Sequence, residues 1–259
     1  MEIESAVIQF DVKKGRVQEN LGTVFDALST AAAQKVQLAV LPEMFSCSFD
    51  NEELPNHTSR TPDIINRISR FAAAHNMAIA GSLPEKKDGR IYNTLVYVDG
   101  DGEIKGRYQK LHLFRLTNEH HYYTPGKEIV CTDTSLGKIG LMTCYDLRFP
   151  ELARSLFLKG ARLIVVSAQW PAPRKDQWQM LIQARAVENQ LFMVCANRTG
   201  TEDNLTFPGR SLIVDPLGHI AADAGNRDGV FAAGLDMKKV DAFRRLIPCK
   251  TDRRPEIYG

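Results

Sequence analysis

Short apolar runs alternate along this chain with segments whose apolar residues recur every three to four positions. The runs predict strands at 6–10, 38–41, 77–83, 92–98, 104–108, 139–143, 163–167, 191–196, 211–214, 219–222 and 229–235. The longer period predicts helices at 17–34, 63–75, 150–159, 175–189 and 237–245. In the first of these, Leu21, Val24, Phe25, Leu28, Ala31 and Ala32 form one stripe, as a helix facing a core requires. Strands and helices do not simply alternate. Asp99-Gly100-Asp101-Gly102 and Asp215-Pro216-Leu217-Gly218 each stand between two strands and signal hairpins. The expected architecture is therefore α/β with mixed sheets. The two hairpins match as Val98-Asp99-x-x-Gly102-x-Ile104 and Val214-Asp215-x-x-Gly218-x-Ile220. The preceding units match as Leu38-Ala39-Val40-Leu41 with Leu163-Ile164-Val165-Val166, and Asn76-Met77 with Gln190-Leu191. Two similar βαβ-plus-hairpin halves sharing one core are expected, with chance likeness among apolar strands as the alternative.

Composition narrows the picture. The 259 residues carry 33 Lys+Arg against 31 Asp+Glu, a formal charge of +2, which disfavours nucleic acid as the main partner. No apolar run approaches the roughly 18 residues of a membrane span, and MEIESAVIQF reads as a first strand rather than an export signal. Five cysteines, none in a CxxC pair, suit a reducing cytoplasm better than a disulfide framework.

GxGxxG, Walker, HExxH and GxSxG motifs are all absent. What remains are polar residues at strand ends, where open α/β sheets build sites. Glu43 follows the buried run 38–41 and Pro42. Lys110 leaves a hairpin strand into an apolar stretch. Cys144 ends the strand 139–143, just before a turn and a helix that starts at Pro150. Read singly, these are a loop acid, a surface lysine and an inert core thiol. Read together, they are a nucleophile, a carboxylate to take its proton and an ammonium to stabilise an oxyanion. The reaction expected of such a set is thioester catalysis on an amide or nitrile carbon.

The segments Leu41-Pro42-Glu43-Met44-Phe45, Tyr108-Gln109-Lys110-Leu111-His112-Leu113-Phe114 and Cys144-Tyr145-Asp146-Leu147-Arg148-Phe149-Pro150-Glu151, in this order, resemble the nitrilase superfamily of carbon–nitrogen hydrolases. The resemblance extends over nearly the whole chain. It implies a four-layer αββα sandwich with internal pseudo-twofold symmetry, forming a single domain over 1–259. Glu43 would be general base, Lys110 oxyanion partner and Cys144 nucleophile. Glu119, six residues before Pro125-Gly126, would hold Lys110 and position the substrate, within a lid at 115–124 that has no strand or helix period. The resemblance also implies homodimers or larger assemblies, with the tail 246–259 packing across a partner subunit, and no metal or organic cofactor.

Cys-Tyr-Asp, Gln169-Trp170-Pro171-Ala172-Pro173-Arg174 and Arg115-Leu116-Thr117-Asn118-Glu119-His120 are similar to the ω-amidase branch, which hydrolyses the terminal amide of 2-oxoglutaramate or 2-oxosuccinamate. Tyr145, Trp170, Arg174 and Arg115 are then candidate substrate contacts, Arg174 for the distal carboxylate. An Arg174 that merely flanks the following helix in solvent is the alternative. Rival activities on the same residues are N-carbamoyl amino acid hydrolase, deaminated-glutathione amidase and nitrilase. A metal site on His112, His120, His121 and Cys144 and a catalytically silent module are the weaker readings.

Overall fold

In the computed structural model, which describes residues 2–258, two six-stranded sheets pack face to face and helices cover both outer faces. The first half runs β1 (Glu2–Gln9), α1 (Val17–Ala33), β2 (Leu38–Val40), α2 (Leu54–His75), β3 (Ala78–Lys87), β4 (Arg90–Val98) and β5 (Ile104–Gln109). A one-turn helix α3 (Glu119–Tyr122) follows. The second half runs β6 (Cys131–Thr134), β7 (Gly137–Thr143), α4 (Pro150–Leu158), β8 (Leu163–Ala168), α5 (Lys175–Asn189) and β9 (Phe192–Asn197). A separate hairpin of β10 (Thr199–Glu202) and β11 (Leu205–Pro208) precedes β12 (Leu212–Val214) and β13 (Ile220–Asp223). The chain then crosses back as β14 (Gly229–Asp236) and ends in α6 (Lys238–Leu246), α7 (Cys249–Asp252) and α8 (Pro255–Tyr258).

The halves share one topology. The sheet orders are β14-β1-β2-β3-β4-β5 and β6-β7-β8-β9-β12-β13. In each, the second to fourth strands are parallel, the two that follow form an antiparallel hairpin, and the first is an antiparallel edge. The matched sequence pairs fall on equivalent places, and Asn76 and Gln190 both end their helices in the left-handed region, at φ 48° and 51°.

Alternation along β1 shows how the layers form. Ile3 and Val7 join Leu38, Val40, Ala78 and Ala80 in the core between the sheets. Ala6, Ile8 and Phe10 face the other way, onto Leu21, Val24 and Leu28 of α1 and Ile64, Ile65 and Ile68 of α2. Burying each such aliphatic side chain contributes about 1.5–3 kcal/mol. Leu152, Leu156 and Phe157 of α4 and Trp178, Ile182 and Ala186 of α5 cover the second sheet in the same way.

Five segments differ from the sequence expectation. β6, β10 and β11 are four residues each and too polar or short to show alternation. α2 starts at Leu54, nine residues before 63. Its first turns hold Pro55 and Pro62, and its buried positions there include His57, Thr58 and Thr61, so no apolar stripe marks them. The stretch 115–124 is not featureless, since it holds a 3-10 turn at Arg115–Thr117 and then α3. In the tail, Leu246, Ile257 and Tyr258 are exposed.

Candidate active site

The strand ends build the site. Beyond β2, Ser167 Oγ donates to the Leu41 carbonyl at 2.8 Å and the Glu43 N–H donates to the Ala168 carbonyl at 3.3 Å. These bonds tie the end of β2 to the end of β8 across the two sheets. Met44, at φ 48°, turns the chain away and leaves Glu43 wholly buried. A buried carboxylate costs several kcal/mol unless it is paired and hydrogen-bonded. Here Oε1 accepts from Lys110 Nζ at 2.8 Å and Asn93 Nδ2 at 2.7 Å, and Oε2 accepts from the Gln169 backbone N–H at 3.0 Å.

Lys110 follows β5 and is 1% exposed. Its ammonium bridges Glu43 and Glu119, each at 2.8 Å, and the second oxygen of Glu119 accepts from the Phe114 N–H at 3.2 Å. Burial opposes the lysine charge, but Glu119 and Glu43 outweigh it and hold its pKa well above the ordinary value. At Glu119 the balance reverses. Burial there prevails over Lys110, and Glu43 adds repulsion, so its carboxyl titrates above the usual range. The lysine is thus charged, and Glu119 is easier to protonate than an ordinary glutamate.

Cys144 stands at the junction of β7 and a 3-10 turn, Cys144–Arg148, with φ at 45°. A non-glycine residue in that region costs roughly 1–3 kcal/mol and persists only where neighbours fix it. Asp146 does so. It is fully buried, and its Oδ2 accepts from the Thr143 N–H at 2.9 Å and Tyr108 OH at 2.6 Å. Its Oδ1 accepts from the His112 N–H at 3.1 Å and meets His112 Nδ1 at 2.8 Å. Tyr108 and His112 flank Lys110, so one carboxylate locks the turn carrying the cysteine to the strand end carrying the lysine. Burial, and then the Glu43 charge, push the Cys144 thiol well above its ordinary pKa, against Lys110 and the Gln169 N–H. The resting group at neutral pH is the thiol.

These groups open on a cleft of about 280 Å³. Glu43, Glu119 and Cys144 line it, with Tyr145, Trp170 and Phe114 as apolar walls and Lys14, Arg148 and Arg174 as cations. Lys110 sits behind this surface. Trp170 is 3% exposed, its indole N–H donating to the Arg174 carbonyl at 2.8 Å. Arg174 immediately precedes α5, yet its guanidinium lies 5.3 Å from the Phe114 ring, on the cleft. That placement favours the pocket over the solvent-flank alternative. Arg115 is the exception among the candidates. It is exposed at the start of the 3-10 turn and is not among the residues lining the cleft.

Sequence reasoning passed over Asn93, Asp146, Arg148 and Gln169 as working residues. Asp146 and Arg148 lie inside the matched segment around Cys144, and Gln169 ends a buried run just as Glu43 does, so a signal was present for these three. Asn93 sits in mid-strand and carries none. His120 and His121 are exposed, and among the described residues no group of three His, Cys, Asp or Glu side chains is placed to hold a metal ion.

A family model described as carbon-nitrogen hydrolase matches residues 5–245. The chain belongs to that family. This carbon-nitrogen hydrolase is 34% identical over 255 residues to the 2-oxoglutaramate amidase of Bacillus subtilis, covering 97% of each chain. It is 31% identical to an omega-amidase of Bos taurus, over 98% of this chain and 95% of that one. A solved variant of the amidase from Nesterenkonia sp. AN1 superposes with a TM-score of 0.88 at 26% identity, covering 99% of this chain and 95% of that one. That structure shows covalent addition of the acetamide moiety of fluoroacetamide at the active site cysteine. This carbon-nitrogen hydrolase is accordingly a hydrolase acting on amides, with the mixed α/β architecture of its relatives.

Proposed function

We propose that the enzyme cleaves the terminal amide of a small ω-amido 2-oxo acid, 2-oxoglutaramate or 2-oxosuccinamate, through a thioester on Cys144. The observation that carries this reading is the convergence of a buried Glu43–Lys110–Glu119 cluster and a buried thiol on one cleft that also holds arginines. Cys144 Sγ attacks the amide carbon while its proton passes to Glu43, and the oxyanion forms beside the Lys110 ammonium. Collapse of the tetrahedral adduct breaks the C–N bond. Glu43 returns the proton to the leaving nitrogen, ammonia departs, and the acyl group remains as a thioester. Water, deprotonated by Glu43, then attacks the thioester carbon. The dicarboxylate leaves and the proton restores the thiol.

The raised pKa of Cys144 supports a base-assisted attack rather than a standing thiolate. Arg174 and Arg148 offer fork-shaped donors for a distal carboxylate, which suits a dicarboxylate product. The 2-oxoglutaramate amidase among the relatives supports the same substrate class. A homodimer is part of the proposal, since the tail leaves Leu246, Ile257 and Tyr258 uncovered in one protomer. The five unpaired cysteines suit a reducing cytoplasm. Ammonia release from 2-oxoglutaramate, glutamine, an N-carbamoyl amino acid and a simple nitrile tests the reading. It predicts the highest kcat/KM on 2-oxoglutaramate, and a clear preference for any of the other three would replace it.

A further inference from the structure

Arg198 follows β9 and is 1% exposed, although it carries a charge and lies outside the cleft wall. All three of its guanidinium nitrogens have acceptors. Nη2 donates to Asp11 Oδ1 at 2.8 Å, and Nε donates to the Thr199 carbonyl at 3.0 Å. Nη1 reaches Glu202 Oε2 at 2.7 Å, Ser48 Oγ at 2.9 Å and Gln169 Oε1 at 3.1 Å. Its plane lies over the Phe207 ring at 4.5 Å. So one buried cation joins the loop after β1, the loop after β2 and the β10–β11 hairpin.

The contact to Gln169 gives this cluster a consequence for the chemistry. A glutamine amide has one acceptor end and one donor end, and its neighbours decide which way it faces. Arg198 and Ser48 both donate to Oε1, and because a guanidinium can only donate, a flipped amide would set donor against donor at Arg198. The donor end is therefore directed to the Glu43 carbonyl, where Nε2 bonds at 2.9 Å. The backbone N–H of the same residue holds Glu43 Oε2 at 3.0 Å. Gln169 thus grips Glu43 at both its main chain and its carboxylate, with Arg198 setting the grip from behind.

We propose that Arg198 is a positioning residue for the general base. It acts through Gln169 to fix the carboxylate of Glu43, and through Glu202 it ties that geometry to the β10–β11 hairpin that walls the cleft. The proposal rests on Glu43 being the base. Misplacing a reacting group by about 1 Å can cost on the order of a hundredfold in rate. A lysine at 198 keeps the charge but cannot reach this set of acceptors at once.

The test compares R198K, Q169L and the double variant with wild type and E43Q in single-turnover acylation by 2-oxoglutaramate, with KM measured in parallel. Each single variant is expected to slow acylation roughly ten- to a hundredfold with KM within about twofold. The double variant is expected to be no slower than the slower single one, because both act on the same group. Losses that multiply, or a raised KM with unchanged kcat, would overturn the proposal. If R198K does not fold, Q169L decides alone, and a wild-type acylation rate in it would overturn the relay. A fast E43Q would remove Glu43 as the base, whereas a slow E43Q beside a fast Q169L would remove only the relay.

Discussion

The two halves of the molecule carry nearly the same scaffold, and the proposed mechanism divides its groups between them. Leu38 pairs with Ala78 at the start of β3, and Leu163 pairs with Phe192 at the start of β9. Five residues on, the first half has Glu43 and the second has Ala168. Likewise Ser5 pairs with Leu38 and Ile139 with Leu163, so the place of Cys144 in the second half is held by Phe10 in the first. One half supplies the carboxylate and, from β5, the ammonium. The other supplies the thiol and the Gln169 amide. Each half leaves an apolar side chain where the other has a group of the proposed mechanism, so one cleft forms at the junction of two repeats. The bond from the Glu43 N–H to the Ala168 carbonyl is where the equivalent positions meet.

Substitutions that make the halves alike should have the largest effects. Cys144→Ala leaves neither half with a nucleophile at this place and should abolish ammonia release while circular dichroism stays native. Glu43→Gln keeps the shape and should slow acylation by ~10²–10⁴. Lys110→Met should cost about 10²–10³ as oxyanion stabilisation is lost. A wild-type rate in either would assign its role to another group.

Glu119 sharpens the comparison, because it belongs to the connection between the halves. Glu119→Ala removes one of two buried partners of Lys110. Breaking a buried pair costs about 3–5 kcal/mol, and since Lys110 keeps Glu43 the loss should lie at the low end. Activity and melting temperature should therefore fall together, with Glu119→Gln milder in both. A native melting temperature with lost activity would mean that Glu119 serves the substrate alone.

Much of this division was legible in the sequence. The hairpin and strand repeats pointed to two halves, and Glu43, Lys110 and Cys144 stood at the ends of runs readable as strands. Polar structure was harder to see. The β10–β11 hairpin, with Thr199–Glu202 and Leu205–Pro208, shows no sustained alternation, yet it brings Glu202, Leu205 and Phe207 to the cleft. Arg198 and Asn93 bond to Gln169 and Glu43, far away in sequence, and local pattern carries no trace of those contacts. Arg115 went the other way, since a cation beside matched residues is exposed and off the cleft wall.

A smaller effect concerns the thiol. The Glu43 charge is one reason the Cys144 pKa is high. Removing that charge in Glu43→Gln should move the pH midpoint for iodoacetamide alkylation of Cys144 to lower pH than in wild type. A midpoint unmoved or higher would mean that the carboxylate does not act on the sulfur. The smallest change is expected at the cleft mouth. Arg174→Ala should raise KM for 2-oxoglutaramate while sparing a neutral aliphatic amide. Equal effects on both substrates would leave the distal carboxylate to Arg148.

The claim that the two halves meet in one nucleophilic site is tested most directly by trapping the acyl-enzyme. Wild-type protein quenched in acid during turnover of 2-oxoglutaramate, digested and analysed by mass spectrometry, should carry the acyl mass on the peptide containing Cys144. The other buried thiols, Cys47, raised to about 12 by burial, and Cys195, also raised, should remain unmodified. An acyl adduct on Cys47, Cys131, Cys195 or Cys249 with Cys144 untouched would contradict the account.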